Sequence, residues 1–168
     1  GKVMSGSRFA GAPEPHKSRV KEMLAAELRV VRDLRPDLAI VKLADGIDDS
    51  WTFLAGQLKD GVEVVDFWHA AEHIYAALGA AYGDPSKEAR KRFVELRHVL
   101  SAEEDGAEKV IRSLEYLNKK HSGRTMIRRA LGYFRKHRHR MSYVALKKRG
   151  LPIGSGVVEA ACKTLVTQ

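Results

Sequence analysis

Two stretches decide how this chain folds: LAIVKLADG at residues 38–46 and GVEVVDFWH at residues 61–69. Each holds a short apolar run that ends in an aspartate, Asp45 in the first and Asp66 in the second. Leu38–Leu43 and Val62–Val65 are rich in β-branched residues and too short for helices, so both read as buried strands. Between them a short helical pattern, capped by Asp49 or Ser50, carries Trp51, Phe53, Leu54 and Leu58. Strand, helix and strand in that order form a crossover unit, which predicts parallel strands. In open α/β sheets, functional groups collect at the carboxyl ends of strands. Two aspartates at those ends are therefore candidates for chemistry, and the plain alternative for either one is a helix cap.

Working outward from this unit, residues 1–14 are rich in Gly, Ser and Pro and read as irregular. A helix is predicted from Pro15 to Leu34, with Val20, Leu24, Leu28 and Val31 on one face and Arg35-Pro36 as its stop. A second helix runs from near Trp68 to Tyr82 and ends at Gly83. Trp51, Phe67 and Trp68 read as core. Residues 15–83 thus form the α/β part. From 84 to 150 only helical patterns appear: Ser86–Ala102, then Gly106–Lys120 capped by Asp105, then 124–137 and 139–149. This span is predicted to contain no strand and to project as a helical subdomain. Residues 151–156 have turn chemistry, and a last helix opening near Ser155 carries Val157, Val158, Glu159, Cys162 and Leu165. The fold class is α/β, predominantly α.

The 168 residues carry a net charge of +9, distributed unevenly. Residues 1–84 hold 10 Lys/Arg against 13 Asp/Glu, while residues 85–150 hold 19 against 7. Residues 123–150 hold 10 basic residues and no acidic one: Arg124, Arg128, Arg129, Arg135, Lys136, Arg138, Arg140, Lys147, Lys148 and Arg149. A one-signed stretch of this kind attracts a polyanion, with nucleic acid the usual one and a solvated helix face the alternative. No apolar run approaches membrane-spanning length and no secretory signal is evident, so no membrane partner is expected. A single cysteine allows no intrachain disulfide, which fits a reducing cytoplasm, and a DNA partner would place the chain at the nucleoid.

Three blocks carry a family resemblance: Leu43-Ala-Asp-Gly46, Val65-Asp-Phe-Trp-His69 with Ala70-Ala-Glu-His73, and Leu151-Pro-Ile-Gly-Ser-Gly-Val-Val-Glu159 continuing into Ala-Ala-Cys-Lys163. In this order and spacing they resemble bacterial insertion-sequence transposases of the ISKra type, an Asp-Asp-Glu family with a ribonuclease-H-like core. The resemblance runs from about residue 13 to the C-terminus and includes Asp105-Gly106 and the segment Tyr133–Met141. It implies a partial ribonuclease-H-like core with a helical insertion at 84–150, and a core helix within 151–168. Asp45 would be the second catalytic carboxylate and Glu159 the third, both ligating metal, with Asp66 and His69 in support. The implied cofactor is Mg²⁺ or Mn²⁺, two ions in the complete enzyme. The implied partner is DNA, as transposon ends and target, with self-association on DNA. Two such ions can activate the attacking oxygen and stabilise the leaving one in an in-line displacement at phosphorus, and Mg²⁺ takes hard oxygen ligands. Asp45 and Glu159 are therefore expected to meet at one site.

The family's first catalytic Asp sits on the opening strand of its core. Here no Asp precedes Asp33, which falls inside a predicted helix. The chain accordingly reads as a fragment of the catalytic domain, expected to be inactive in strand transfer as given. Two other readings stand beside it. One is a helical DNA-binding module without chemistry. The other is a zinc-dependent hydrolase using His69-Ala-Ala-Glu72-His73, because residues i, i+3 and i+4 share a helix face, with Glu88, Glu95 or Glu103 as a third ligand. Gly154-Ser155-Gly156 could cradle a phosphate or form a turn with an N-cap, but lacks the lysine of a nucleotide-binding loop.

Overall fold

A computed structural model describes residues 18–155. Its elements are α1 (Ser18–Leu34), β1 (Val41–Ala44), α2 (Asp48–Gln57), β2 (Val62–Val65), α3 (Phe67–Tyr82), α4 (Lys87–Ala102), α5 (Gly106–Lys120), α6 (Thr125–His137), a 3₁₀ turn at Arg138–Arg140, and α7 (Tyr143–Lys148). The described chain is mostly helical with one small sheet. Its two strands pair in parallel, Val41 with Val62 through to Ala44 with Val65. In this register Asp45 and Asp66 follow directly on paired residues, so both leave the same edge of the sheet.

Most of the predicted elements form, and the departures have local causes. β1 begins at Val41 rather than Leu38, because β2 offers only four residues to pair with. Leu38 instead follows the Arg35–Pro36 turn and is exposed. α2 starts at Asp48 with Ile47 in the cap position and no side-chain cap, so neither Asp49 nor Ser50 caps it. The chain turns earlier than predicted because Asp45 Oδ1 accepts from Ile47 N–H at 3.0 Å and Gly46 takes a positive φ of 102°. Asp105 stands at the N-cap of α5 without a capping bond, and its carboxylate pairs with Lys109 instead. The helix predicted at 139–149 is broken, since Met141 and Tyr143 both turn inward and are buried, which leaves a 3₁₀ turn and the short α7.

Residues 84–150 contain no strand, as expected, but they do not stand away from the sheet. Helix α3 is rich in Ala, and both α4 and α6 pack against it. Ile74 and Leu78 of α3, Leu114 of α5, Ile127 and Phe134 of α6 and Tyr143 of α7 join Val64 and Val65 of β2 in one continuous buried cluster. The Tyr143 hydroxyl donates to the Val65 carbonyl at 2.9 Å. Trp51 and Phe67 are buried as predicted, whereas Trp68 is about half exposed (49%). α1 buries no residue completely and is held over α2 partly by the Lys21–Asp49 ion pair at 2.7 Å. No described helix is long and apolar enough to cross a membrane.

Candidate functional site

A cleft of about 450 Å³ opens at the carboxyl ends of the two strands. Its floor is Leu43, Ala44 and Asp45 from the end of β1, and Asp66 beside them. α3 contributes His69 and Glu72, α2 contributes Asp49 and Ser50, and α1 closes one side with Val20, Lys21 and Leu24. Ser155, the last described residue, also lies on the wall. The structure thus brings Asp45, Asp66 and His69 together. Glu159 lies outside the described residues, as does the last helix predicted to carry it.

The two aspartates differ in their partners. Asp66 is buried and caps α3: its Oδ1 accepts from Trp68 N–H at 2.8 Å and His69 N–H at 3.2 Å. Its Oδ2 accepts from Ser155 N–H at 2.6 Å. Burial alone would raise its pKa, but hydrogen bonds from Ser155, His69 and Trp68 outweigh burial and hold it below the usual carboxylate range. It stays ionised and ties the 151–155 loop to the strand end. Asp45 is half-buried, lines the cleft, and uses Oδ1 for the Ile47 turn. It is the better placed of the two to offer charge to a ligand.

The loop at 151–155 is docked with care. Phe67 N–H, one of the orphan donors at the start of α3, donates to the Ile153 carbonyl at 2.9 Å. A Cβ on Gly154 would sit 3.0 Å from Trp68 Cδ1, so glycine lets the loop close against that ring. The Ser155 amide is committed to Asp66, so it is not a free donor for a phosphate cradle.

Sequence reasoning missed Tyr133. From α6 its hydroxyl donates to the backbone carbonyl of Asp45 at 3.0 Å, and its ring stacks on His73 at 3.9 Å. His69 and His137 pack at 5.9 and 5.0 Å from the same ring. Burial first, then the charges of Asp45, Asp66 and Glu72, push the Tyr133 pKa upward, so it remains a donor. The contact spans 88 positions, and no local spacing signals it.

The zinc geometry does not assemble. His69 Nδ1 contacts Glu72 Oε2 at 3.2 Å, while His73 turns onto Tyr133, and burial, with a smaller effect of His69, pulls its pKa down to about 4. Glu88 and Glu95 pair with Arg92, and Glu103 with Lys109. Among the described residues no three His, Cys, Asp or Glu side chains are grouped to hold a metal ion.

The basic residues fall into two sets. Arg135, Lys136, Arg138 and Lys148 are exposed but pair with Glu115, Asp48, Glu108 and Glu104. Arg140 is drawn inward: it is half-buried, pairs with Glu63 at 2.7 Å, donates to His137 Nδ1 at 3.2 Å and covers the Trp51 ring at 4.1 Å. Arg124, Arg128, Arg129, Lys147 and Arg149 are exposed, with no carboxylate in ion-pair reach among the described residues. Comparisons with protein-family models, with curated proteins and with solved structures found no match to this chain.

Proposed function

We propose that this chain carries the second and third carboxylates of an Asp-Asp-Glu transposase core, ribonuclease-H-like in architecture, which cleaves and joins DNA strands with Mg²⁺ or Mn²⁺. One observation carries the reading: Asp45 leaves a parallel strand end into a cleft whose wall also holds Ser155, four positions ahead of Glu159. Asp45 and Glu159 are the residues that would hold the metal, and a half-buried aspartate lining an open cleft fits a cation that takes one or two carboxylates with water and phosphate for the rest. When bound, such ions polarise the phosphodiester and lower the pKa of the attacking hydroxyl. Asp66 holds the 151–155 loop and the start of α3 at the same strand end, and Tyr133 holds the Asp45 turn. The exposed cations of residues 124–149 that no carboxylate pairs would contact the DNA backbone, which sets affinity and not sequence.

The test is Mn²⁺ binding to the 168-residue chain, followed by electron paramagnetic resonance. The expected result is weak but saturable binding, weakened further by more than roughly tenfold in either Asp45→Asn or Glu159→Gln, since even the outer-shell partners of a metal are worth roughly 10- to 100-fold in affinity. If neither substitution changes Mn²⁺ binding while DNA binding persists, the reading gives way to a DNA-binding module without chemistry.

A further inference from the structure

The ion pairs on α6 define a boundary. Arg135 meets Glu115 at 2.6 Å and Arg138 meets Glu108 at 3.4 Å, so α5 and α6 run antiparallel with residues near 115 level with residues near 135. Carrying that register towards the connecting turn puts Lys119 and Lys120 level with Arg128 and Arg129. The turn itself is made by His121–Gly123, with Gly123 at a φ of 86°, and Arg124 follows it. From Tyr116 to Gly150 the sequence has no Asp or Glu. At this end of the hairpin Lys119, Lys120, Arg124, Arg128 and Arg129 are all exposed, and none has a carboxylate within ion-pair distance among the described residues. Tyr116, one turn before Lys119 and Lys120, is exposed at 60% with the Lys120 ammonium 6.0 Å from its ring.

We infer that the tip of the α5–α6 hairpin, and not the length of α6, is the surface that binds the DNA backbone. The inference rests on the DNA partner proposed above but not on the metal site. A cation already paired with a carboxylate gains little from a phosphate, because it must give up one ion pair to make another. An uncompensated cation releases condensed counterions from the duplex and gains the full effect. Five such residues sit within two helical turns of one connection. The tyrosine adds a flat apolar face of the kind that packs on sugars or bases next to phosphate contacts. Lys119, Lys120 and Tyr116 lie outside the all-basic stretch that stands out in the sequence, and only the hairpin geometry joins them to it.

The experiment compares two sets of substitutions in the full chain by their salt-dependent affinity for a DNA duplex. The tip set is Lys119→Gln, Lys120→Gln, Arg124→Gln, Arg128→Gln and Arg129→Gln. The paired set is Arg135→Gln, Lys136→Gln, Arg138→Gln and Lys148→Gln. Each phosphate contact contributes about 0.9 to the slope of log affinity against log salt, so the tip set is expected to flatten the slope by roughly 3 to 4.5. The paired set is expected to flatten it by less than about 1. Circular dichroism confirms that both variants fold, and single Arg128→Gln, expected to remove about one unit of slope, serves if the five-fold variant does not. Equal flattening by the two sets, a larger effect of the paired set, no DNA binding by the wild type, or preference for anionic lipid vesicles over DNA would overturn the inference. Loss of Mn²⁺ binding in Asp45→Asn leaves it untouched, so failure of the metal reading and failure of this surface are read separately.

Discussion

The hydroxyl of Tyr133 donates a 3.0 Å hydrogen bond to the backbone carbonyl of Asp45, joining the middle of α6 to the end of β1. The same ring lies where a Cβ on Gly46 would stand, 2.7 Å from Tyr133 Cε2. Helix, tyrosine and turn therefore constrain one another. Tyr133→Phe keeps the stack on His73 and loses only the hydrogen bond, at an expected cost of about 1 kcal/mol. Gly46→Ala forces an L-residue into a positive φ and into the ring, at a cost of about 2–3 kcal/mol. Urea unfolding gives both numbers. Hydrogen exchange at Ile47 N–H, which donates to Asp45, should quicken in Tyr133→Phe if the tyrosine positions the aspartate, and an unchanged rate would show that it does not.

Asp66 is expected to matter for order before it matters for chemistry. It accepts three backbone N–H bonds, two from the start of α3 and one from Ser155. Asp66→Ala leaves all three without their acceptor and should cost about 2–3 kcal/mol. Asp66→Asn retains an acceptor oxygen for only one side and should fall between. Amide exchange at Ser155 should rise in both variants, and a protected Ser155 in Asp66→Ala would mean that other contacts hold the loop.

The strand-helix-strand unit was legible because hydrophobic period and turn residues agree there: Val62–Val65, Asp66 and Gly83 stand where propensity and capping place them. Asp45 was legible as a site candidate through its position at a strand end. Tyr133 was not, since a tyrosine in a basic helix carries no local sign that its hydroxyl reaches a carbonyl 88 positions away. The surroundings of Arg140 were hidden for the same reason. It belongs by sequence to a run of surface cations, but the break at Met141–Ser142 turns it inward onto Trp51 and Glu63. Charge pattern reveals a residue's sign, and only tertiary packing decides whether that sign is already neutralised.

Arg140 should accordingly behave as a structural residue. Lys42 and Glu63 face each other across the two strands at 3.0 Å, Lys42 is buried, and Arg140 meets Glu63 from the other side. Burial would raise the Glu63 pKa, but Arg140 and Lys42 more than offset it and lower it. Arg140→Gln removes a charge-assisted bond and the cover over Trp51, with an expected loss of about 2–3 kcal/mol. Its DNA-binding slope should match wild type within about 0.5 once measured below the melting temperature, whereas one lost phosphate contact would remove about 0.9. A drop of a full unit would return Arg140 to the DNA surface.

Stability should fall as the solution is acidified from pH 6.5 to pH 4, and two histidines set the window. His137 is buried (1% exposed) and His73 is half-buried against Tyr133. Both pKa values are pulled down to about 4, by burial first in each case; the further cause is the nearby cations Arg140 and Lys136 for His137, and His69 for His73. In the unfolded chain both titrate near the ordinary value of about 6.5. Below pH 6.5 the unfolded state therefore takes up protons that the folded state refuses until about pH 4, and protonation favours unfolding across that interval. The histidine contribution should begin below pH 6.5, reach roughly 3 kcal/mol for each ring and so about 6 for the pair near pH 4, and level off below that, where both states are protonated. The carboxylates with lowered pKa values begin to add their own loss as the pH falls through their ordinary values, 4.5 for Glu63 and 3.8 for Asp66, and continue to do so at lower pH. Arg140 Nη1 lies 3.2 Å from His137 Nδ1, so a neutral ring can accept there and a protonated one cannot. Urea midpoints at half-unit steps from pH 7.5 to pH 4 measure the curve. His137→Gln supplies a neutral side chain and should remove about half the acid dependence while lowering stability at pH 7. A variant whose curve keeps the wild-type shape would mean that His137 is already protonated in the folded protein and that burial does not hold it neutral.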